Sequence, residues 1–167
     1  MSTGGEAAFA EFVAARTPAL ARTAYLLTGD HHLAEDLVQT ALFQAARHWE
    51  RIEGHPEAYV RRILYTQNVS WWRRRRLRET ALEEYDAAAA DADPDLRLTL
   101  EEALRRLTPK QRTVLVLRFF EDLTEAQTAS ALGIGVGTVK SMTRQALHRL
   151  RVLAPELADL IGTGDAR

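Results

Sequence analysis

The chain has 167 residues, of which 46% are hydrophobic and 27% charged, and its formal net charge is −1. This length allows one compact domain or two small ones, each with a buried core. The absence of cysteine excludes disulfides, cysteine–zinc sites and thiol catalysis, and a cytoplasmic protein with neither a signal peptide nor a membrane span is expected.

The small net charge conceals three blocks of different sign. Residues 61–78 contain seven arginines and no acid, whereas residues 79–102 contain nine acids and one arginine. Residues 103–167 contain ten basic residues and six acids. Two basic modules separated by an acidic segment predict two surfaces that bind a polyanion.

Helix formers dominate, and no alternation with a period of two predicts a strand. Thr17-Pro18 resembles an N-cap followed by the first helical residue, so the first helix is expected to run from there to about Leu27. Asp30 is the expected N-cap of a second helix, which ends at His48 or Trp49. A third helix is expected to begin at Gly54-His55-Pro56 and to reach the arginine run at 73–76.

The segment 85–95 consists of alanine and aspartate around one proline and predicts a flexible acidic linker. A short alanine-rich helix is the alternative for its first half. The fold class is therefore all-α, with two small helical domains joined by the linker and a helix-turn-helix in the second. The expected boundaries are 7–78 for the first domain, 79–97 for the linker, 98–153 for the second domain and 154–167 for a tail.

The second domain carries clear helix signals. Thr108 and Thr124 are each followed three residues later by glutamine, which is the pattern of a capping box. Gly133 is expected to end the helix that starts after Thr124, and a last helix is expected over 136–153, before Pro155.

A helical wheel of the second helix places an apolar stripe on one side and a phenylalanine among polar groups on the other. An exposed aromatic side chain with a polar rim is typical of an anchor for a partner protein. The alternative is that this phenylalanine packs under a neighbouring helix. The polar side carries Asp36, Gln39, Thr40, Phe43 and Arg47.

The third helix combines arginines and aromatic residues on one side. Guanidinium groups pair with phosphates and aromatic rings stack on unpaired bases, so this side suits single-stranded or melting DNA. A solvated basic face and non-specific RNA binding are the alternatives. The side consists of Arg61, Arg62, Tyr65, Val69, Trp72, Arg73 and Arg76, with Asn68 at its edge.

Residues 124–150 have the pattern of a helix-turn-helix. Ala129 allows the two helices to cross closely, Gly133 fits the turn, and Leu132, Ile134 and Val139 join the helices. Arginine, lysine, glutamine and serine can read base edges in the major groove; a solvated polar face is the alternative. The outward residues of the last helix are Lys140, Ser141, Arg144, Gln145, His148 and Arg151.

Other chemistry is poorly supported. The glycines of 133–137 follow no strand and precede no suitably placed lysine, so they do not predict a phosphate-binding loop. The five histidines lack ligand spacing, and no pair of a nucleophile and a base is evident. We therefore expect no metal, no cofactor and no enzymatic activity.

Two segments resemble a known family, the extracytoplasmic-function sigma factors, and especially its actinobacterial branch without an extra carboxy-terminal domain. Residues 32–42 (HLAEDLVQTAL) are similar to the polymerase-binding segment of that family. Residues 136–141 (VGTVKS), followed by Arg144 and by 147–151 (LHRLR), are similar to its second DNA-binding motif. The resemblance covers about residues 7–153.

The resemblance implies roles for the three helix faces, and it implies promoter DNA and core RNA polymerase (the beta-prime clamp helices and the beta flap) as partners. An anti-sigma factor is a common partner in the family. The core-binding positions are Asp36, Gln39, Thr40 and Phe43. The −10 element would be read by Arg61, Arg62, Tyr65, Asn68, Trp72, Arg73 and Arg76. The −35 element would be read by Thr138, Lys140, Ser141, Arg144, Gln145 and His148.

The chain also departs from the family. Gly135 stands at the usual position of a serine cap, Thr128 replaces an aliphatic residue, and Met142 replaces a common arginine. These departures concern the preferred −35 sequence rather than the motif. The competing hypothesis is a helix-turn-helix regulator that binds duplex operator DNA without polymerase.

Overall fold

A computed structural model of the chain describes residues 2–79 and 99–155. Every regular element within these two ranges is helical, in agreement with the all-α prediction. The contacts divide the chain into two compact units, Met1–Asn68 and Val69–Arg167, so the division falls inside the third helix. The acidic linker and the carboxy-terminal tail lie outside the described residues, and the expected domain boundaries stay predictions.

The first unit contains α1 (Thr3–Thr28), α2 (His31–His48), a 3₁₀ turn (Trp49–Arg51) and the beginning of α3 (Pro56–Glu79). The predictions for α2 and for the start of α3 are confirmed. Asp30 caps α2 as expected, because its carboxylate accepts a hydrogen bond from the Leu33 amide at 2.9 Å. The core of the unit takes residues from all three helices: Leu20, Ala24 and Leu27; Leu37, Val38, Ala41 and Ala45; Val60, Ile63 and Leu64.

The prediction that the first helix begins at Thr17-Pro18 is wrong. α1 begins after the N-cap Ser2 and continues through Pro18. The Thr17 hydroxyl donates to the Val13 carbonyl at 2.6 Å, so this threonine bonds to the preceding turn instead of capping a new helix. The additional turns bring Phe9 and Phe12 against Trp49, with ring centroids 5.0 and 5.1 Å apart. This aromatic packing favours the longer helix over a start at the proline.

The second unit contains the end of α3 from Val69, followed by α4 (Leu100–Arg105), α5 (Pro109–Leu115), a π-helical turn (Val116–Phe120), α6 (Glu125–Leu132) and α7 (Val136–Leu153). Capping boxes begin α5 at Thr108 and α6 at Thr124, as predicted, and another begins α4 at Thr99. α7 contacts α4, α5 and α6. The unit is therefore built around its last helix, whose buried side is fixed by three neighbours.

None of the helices in the described ranges combines the length and the apolarity that a membrane span requires. Within the same ranges, histidine and carboxylate side chains do not gather in groups of three that could hold a metal ion.

Candidate polymerase-binding and nucleic-acid-binding surfaces

The polar side of α2 is an exposed surface with an aromatic residue at its centre. Phe43 is 66% exposed, and Asp36, Gln39, Thr40 and Arg47 are exposed with it. At about 100° per residue these five positions fall within an arc of about 100°. The structure therefore brings the four predicted core-binding residues onto one face.

The alternative in which Phe43 packs under a neighbouring helix is wrong. The opposite side of α2 already carries the core contacts, through Leu37, Val38, Ala41 and Ala45. Phe43 lies outside that stripe, and its ring keeps most of its area in solvent. A large exposed apolar side chain with a polar rim is the expected form of a protein-binding anchor.

The predicted DNA-binding side of α3 is only partly exposed. Arg62 and Arg73 are exposed, and Trp72 is half-buried. The backbone of Arg76 belongs to α3, but its side chain lies outside the described residues. The exposed members therefore provide positive charge, and the one aromatic ring beside them is half-buried.

Tyr65 and Asn68 do not lie on an exposed face, so the placement that the helical wheel predicted for them is wrong. Tyr65 is 4% exposed and Asn68 is 1% exposed. The wheel assumed one narrow buried stripe, whereas the buried positions from Ile63 through Val60 to Tyr65 cover about 200° of the helix circumference, at about 100° per residue. Both residues also have polar, ring or electrostatic contacts of their own.

Arg61 is held by contacts within the first unit. Its Nη2 and Nε lie 2.9 and 3.1 Å from Oε1 of Glu57, and its Nη1 lies 3.1 Å from the Thr23 hydroxyl of α1. The other carboxylate oxygen of Glu57 lies 3.2 Å from Nε of Arg16. Arg61 therefore connects α1 to α3, and it is half-buried rather than extended into solvent.

Sequence reasoning missed a cation–aromatic cluster near the end of α3. The indoles of Trp71 and Trp72 are 4.5 Å apart in an edge-to-face arrangement. The guanidinium of Arg75 lies 5.4 Å from one ring and 5.6 Å from the other. A helical wheel places Trp71 on the apolar side of α3, whereas the structure leaves it half-buried. The tryptophan pair followed by an arginine three or four residues later was the signal in the sequence.

The helix-turn-helix has the predicted geometry. Gly133 ends α6 with φ 66°, in the left-handed region that favours glycine. The Ile134 amide donates to the Ala129 carbonyl at 3.1 Å. Buried Ala129, Val114 and Val139 form the contact between helices, against which Leu132, Ile134 and Met142 pack. The residues that the sequence pattern singled out therefore join the two helices, and Val114 of α5 and Met142 of α7 add to this contact.

α7 separates its buried and exposed sides cleanly. Val139, Ala146, Leu147 and Leu150 are buried. Gly135 is the N-cap of α7 and forms no side-chain capping hydrogen bond, as expected where glycine replaces the usual serine. All six predicted −35 positions are exposed: Thr138, Lys140, Ser141, Arg144, Gln145 and His148.

Sequence reasoning also missed an acidic neighbour of this exposed row. Nζ of Lys140 lies 3.6 Å from Oε2 of Glu125, the first residue of α6. The two positions are 15 residues apart in the sequence, so no helical spacing predicts the pair.

Comparisons with known proteins agree with this arrangement. The family model described as Sigma-70 region 2 matches residues 12–78, and the model described as Sigma-70, region 4 matches residues 103–152. The first match includes α2 and most of α3, and the second includes α5, α6 and nearly all of α7. Each match therefore falls within one of the two predicted modules.

Characterised relatives extend the similarity over most of the chain. The RNA polymerase sigma-E factor of Streptomyces coelicolor is 42% identical over 151 residues, which are 86% of this chain and 84% of the relative. The ECF RNA polymerase sigma factor SigL of Mycobacterium tuberculosis is 33% identical over 147 residues, 81% of this chain and 82% of the relative.

A solved structure shows the same fold. The sigma factor RpoE from Bartonella quintana, in complex with the anti-sigma factor NepR, matches with a TM-score of 0.64 and 27% identity, covering 87% of this chain and 95% of that one. Together with the two region matches and the relatives, this similarity shows that the chain belongs to the extracytoplasmic-function RNA polymerase sigma factors.

Proposed function

We propose that this sigma factor divides promoter recognition among three helix faces. The polar face of α2 around Phe43 binds core RNA polymerase, the exposed side of α3 binds the melted −10 element, and the exposed row of α7 reads the −35 element as duplex. The observation that carries the proposal is the exposed row on α7, which leaves six polar or basic side chains free of the core of the helix-turn-helix.

Phe43 supports the core-binding role of α2. Moving a largely exposed phenylalanine from water into a partner's apolar groove supplies the hydrophobic part of the binding free energy. Asp36, Gln39 and Thr40 form the polar rim that fixes orientation. Because the opposite side of α2 holds the core of the first unit, binding at this face leaves the fold unchanged.

For the −10 element we propose a narrower surface than the wheel predicts. Arg62 and Arg73 are exposed and can pair with phosphates. Trp71, Trp72 and Arg75 provide rings and a cation against which unpaired bases can stack. Arg76 stays a prediction. Tyr65 and Asn68 are buried and Arg61 is bound to Glu57 and Thr23, so we leave these three out of the direct contacts.

For the −35 element, α7 supplies side chains that can recognise different bases and side chains that can contact phosphates. Arg144 can take guanine with two hydrogen bonds and Gln145 can take adenine, each worth about 1–3 kcal/mol of discrimination. Thr138 lies in the first turn, where short side chains and amide groups contact phosphates. The helix therefore provides both base reading and positioning.

We further propose that the protein acts in the cytoplasm with its polymerase, takes part by recognition rather than by catalysis, and is held inactive by an anti-sigma factor. The structural neighbour from Bartonella quintana is bound to such a factor, and this supports the regulatory part of the proposal. Exposed helix faces that serve polymerase or DNA would be covered in that state.

Run-off transcription tests the proposal. Core RNA polymerase from a Streptomyces species is combined with the purified chain on genomic DNA fragments, and the start sites are mapped. We expect promoter-specific transcripts only when both proteins are present. Specific binding of the chain alone to duplex DNA, without any directed transcript, would instead identify a helix-turn-helix regulator.

An Arg144→Ala variant then tests the role of α7 on the promoters obtained. Loss of a base contact should lower discrimination at one −35 base pair by about five- to 160-fold. Lys110→Ala, a change at an exposed basic residue of α5 outside the predicted base-reading row, is the control and should leave that preference unchanged. Equal base preferences for wild type and Arg144→Ala would remove α7 from −35 reading.

A further inference from the structure

Glu125 and Lys140 form an ion pair across the helix-turn-helix. The Lys140 ammonium on α7 lies 3.6 Å from the Glu125 carboxylate on α6. The lysine side chain is 57% exposed and the glutamate side chain 33% exposed. The pair therefore forms in water-accessible surroundings and can open without disturbing the core.

Glu125 is suited to its position independently of the lysine. It is the first residue of α6, where the helix dipole favours negative charge. The capping box at this end uses Thr124 and Gln127 and not Glu125. Its carboxylate is consequently available to Lys140, and replacing it with an amide leaves the cap of α6 in place.

Lys140 has a different neighbourhood from Ser141, Arg144 and Gln145. These four side chains belong to one exposed row, but the ammonium of Lys140 already has an anionic partner within the chain. An ammonium that binds a phosphate or a base edge must give up Glu125, or must share its protons with it. A carboxylate beside a polyanion also repels it.

We propose that Glu125 is a positioning residue that holds Lys140 in the free protein and competes with promoter DNA for it. The pair lowers the affinity for the −35 element. Recognition of the −35 sequence then depends more on Arg144 and Gln145. The proposal rests on the −35 role of α7. Exposed ion pairs have a small interaction free energy. Removing the Glu125 carboxylate is therefore expected to raise the affinity for promoter DNA by about two- to fivefold.

A double-mutant cycle tests this mechanism. Wild type, Glu125→Gln, Lys140→Met and the double variant are each assembled with core RNA polymerase. Their dissociation constants for a labelled promoter fragment, chosen by run-off transcription, are measured by fluorescence anisotropy at several salt concentrations. Glu101→Gln, an exposed acid in the first turn of α4, is the control that removes the same charge elsewhere.

We expect Glu125→Gln to tighten binding about two- to fivefold and to steepen the salt dependence by up to ~0.9 in the logarithmic slope. The gain should disappear in the Lys140→Met background, and Glu101→Gln should show little of it. Glu125→Gln and the double variant should share a small decrease in thermal midpoint, because both lose the favourable interaction of the carboxylate with the helix dipole.

Two results would overturn the inference. An unchanged affinity of Glu125→Gln would show that Glu125 does not compete with DNA for Lys140. If Glu125→Gln raised the affinity equally in the wild-type and Lys140→Met backgrounds, the cause would be general charge repulsion. Failure of the proposed −35 role is distinguishable, because binding would then be insensitive to Lys140→Met, to Arg144→Ala and to the −35 sequence.

Discussion

Arg61 and Glu57 form a bifurcated contact on one turn of α3, in which Nη2 and Nε of the arginine lie 2.9 and 3.1 Å from the same carboxylate oxygen. The remaining arginine nitrogen reaches Thr23 of α1. Charge-assisted hydrogen bonds at a half-buried position restrict the packing of two helices. The arginine that begins the basic block of α3 thus belongs to the scaffold of the first unit.

Adjacent arginines can therefore be separated by role. Arg61→Met should lower the free energy of unfolding by about 1–2 kcal/mol, since charged hydrogen bonds between helices are lost. Arg62→Met, at an exposed neighbouring position, should change it by less than about 0.5 kcal/mol and should instead reduce open-complex formation. Urea unfolding followed by circular dichroism measures the difference; equal stabilities would contradict the structural role of Arg61.

The contrast also shows what sequence patterns can predict. The limits of α2 and α7 were predicted because capping residues, glycines and a period near 3.6 all agreed there. Tyr65 and Asn68 were misplaced because burial over more than half of a helix leaves no single polar side for the wheel to detect. The threonine–proline pair at 17–18 was misleading because a local capping pattern competes with packing that the sequence does not show, here between Phe9, Phe12 and Trp49.

Other parts of the site depend on tertiary geometry. The pair of Glu125 and Lys140 joins two helices, and the π-helical turn Val116–Phe120 has no signal of its own in the sequence. In contrast, the exposure of Phe43 was predictable, because the remaining residues of α2 already supplied a complete apolar stripe.

Thr128 provides a test of stability in the helix-turn-helix. Its side chain is fully buried, and its hydroxyl has no hydrogen-bond partner. Thr128→Val keeps the shape and removes the unsatisfied group, so we expect the free energy of unfolding to rise by about 1 kcal/mol. The control is Ser130→Ala at an exposed position of α6. Thermal unfolding measures both changes. A Thr128→Val variant less stable than wild type would contradict the absence of a hydrogen-bond partner for the Thr128 hydroxyl.

Asp122 lies in the left-handed region, with φ 55°, between the π-helical turn and α6. Aspartate tolerates this conformation and glycine prefers it, whereas β-branched residues are disfavoured. We expect Asp122→Val to cost about 1–2 kcal/mol and Asp122→Gly to be neutral or stabilising. Denaturant unfolding of both variants tests the conformation; equal stability of the two would show that the backbone is not left-handed in solution.

Asp30 is expected to contribute to the acid sensitivity of the first unit. The hydrogen bond from the Leu33 amide lowers the pKa of its carboxyl below the ordinary value of 3.8, and the His32 amide and the nearby imidazoles of His32 and His31 act in the same direction. The carboxylate therefore stabilises the fold above that ordinary value, and the contribution is lost as the pH falls through the lower pKa of the folded state.

Asp30→Asn should keep the cap at neutral pH and should lose less stability on acidification. Thermal midpoints measured at neutral pH and stepwise from about pH 5 to pH 3 test this expectation. Asp36→Asn, in the middle of α2, is the control. If wild type and Asp30→Asn lose stability in parallel, the cap does not supply the acid sensitivity.

The most direct test of the whole account is the affinity of Phe43→Ala for core RNA polymerase, measured against wild type by fluorescence anisotropy. Loss of an anchor side chain should weaken binding about ten- to thirtyfold, while the thermal midpoint stays unchanged because Phe43 lies outside the core. Leu37→Ala, on the buried side of the same helix, should instead lower the free energy of unfolding of the first unit by about 2–5 kcal/mol. Equal affinities of wild type and Phe43→Ala would contradict polymerase binding through this face of α2.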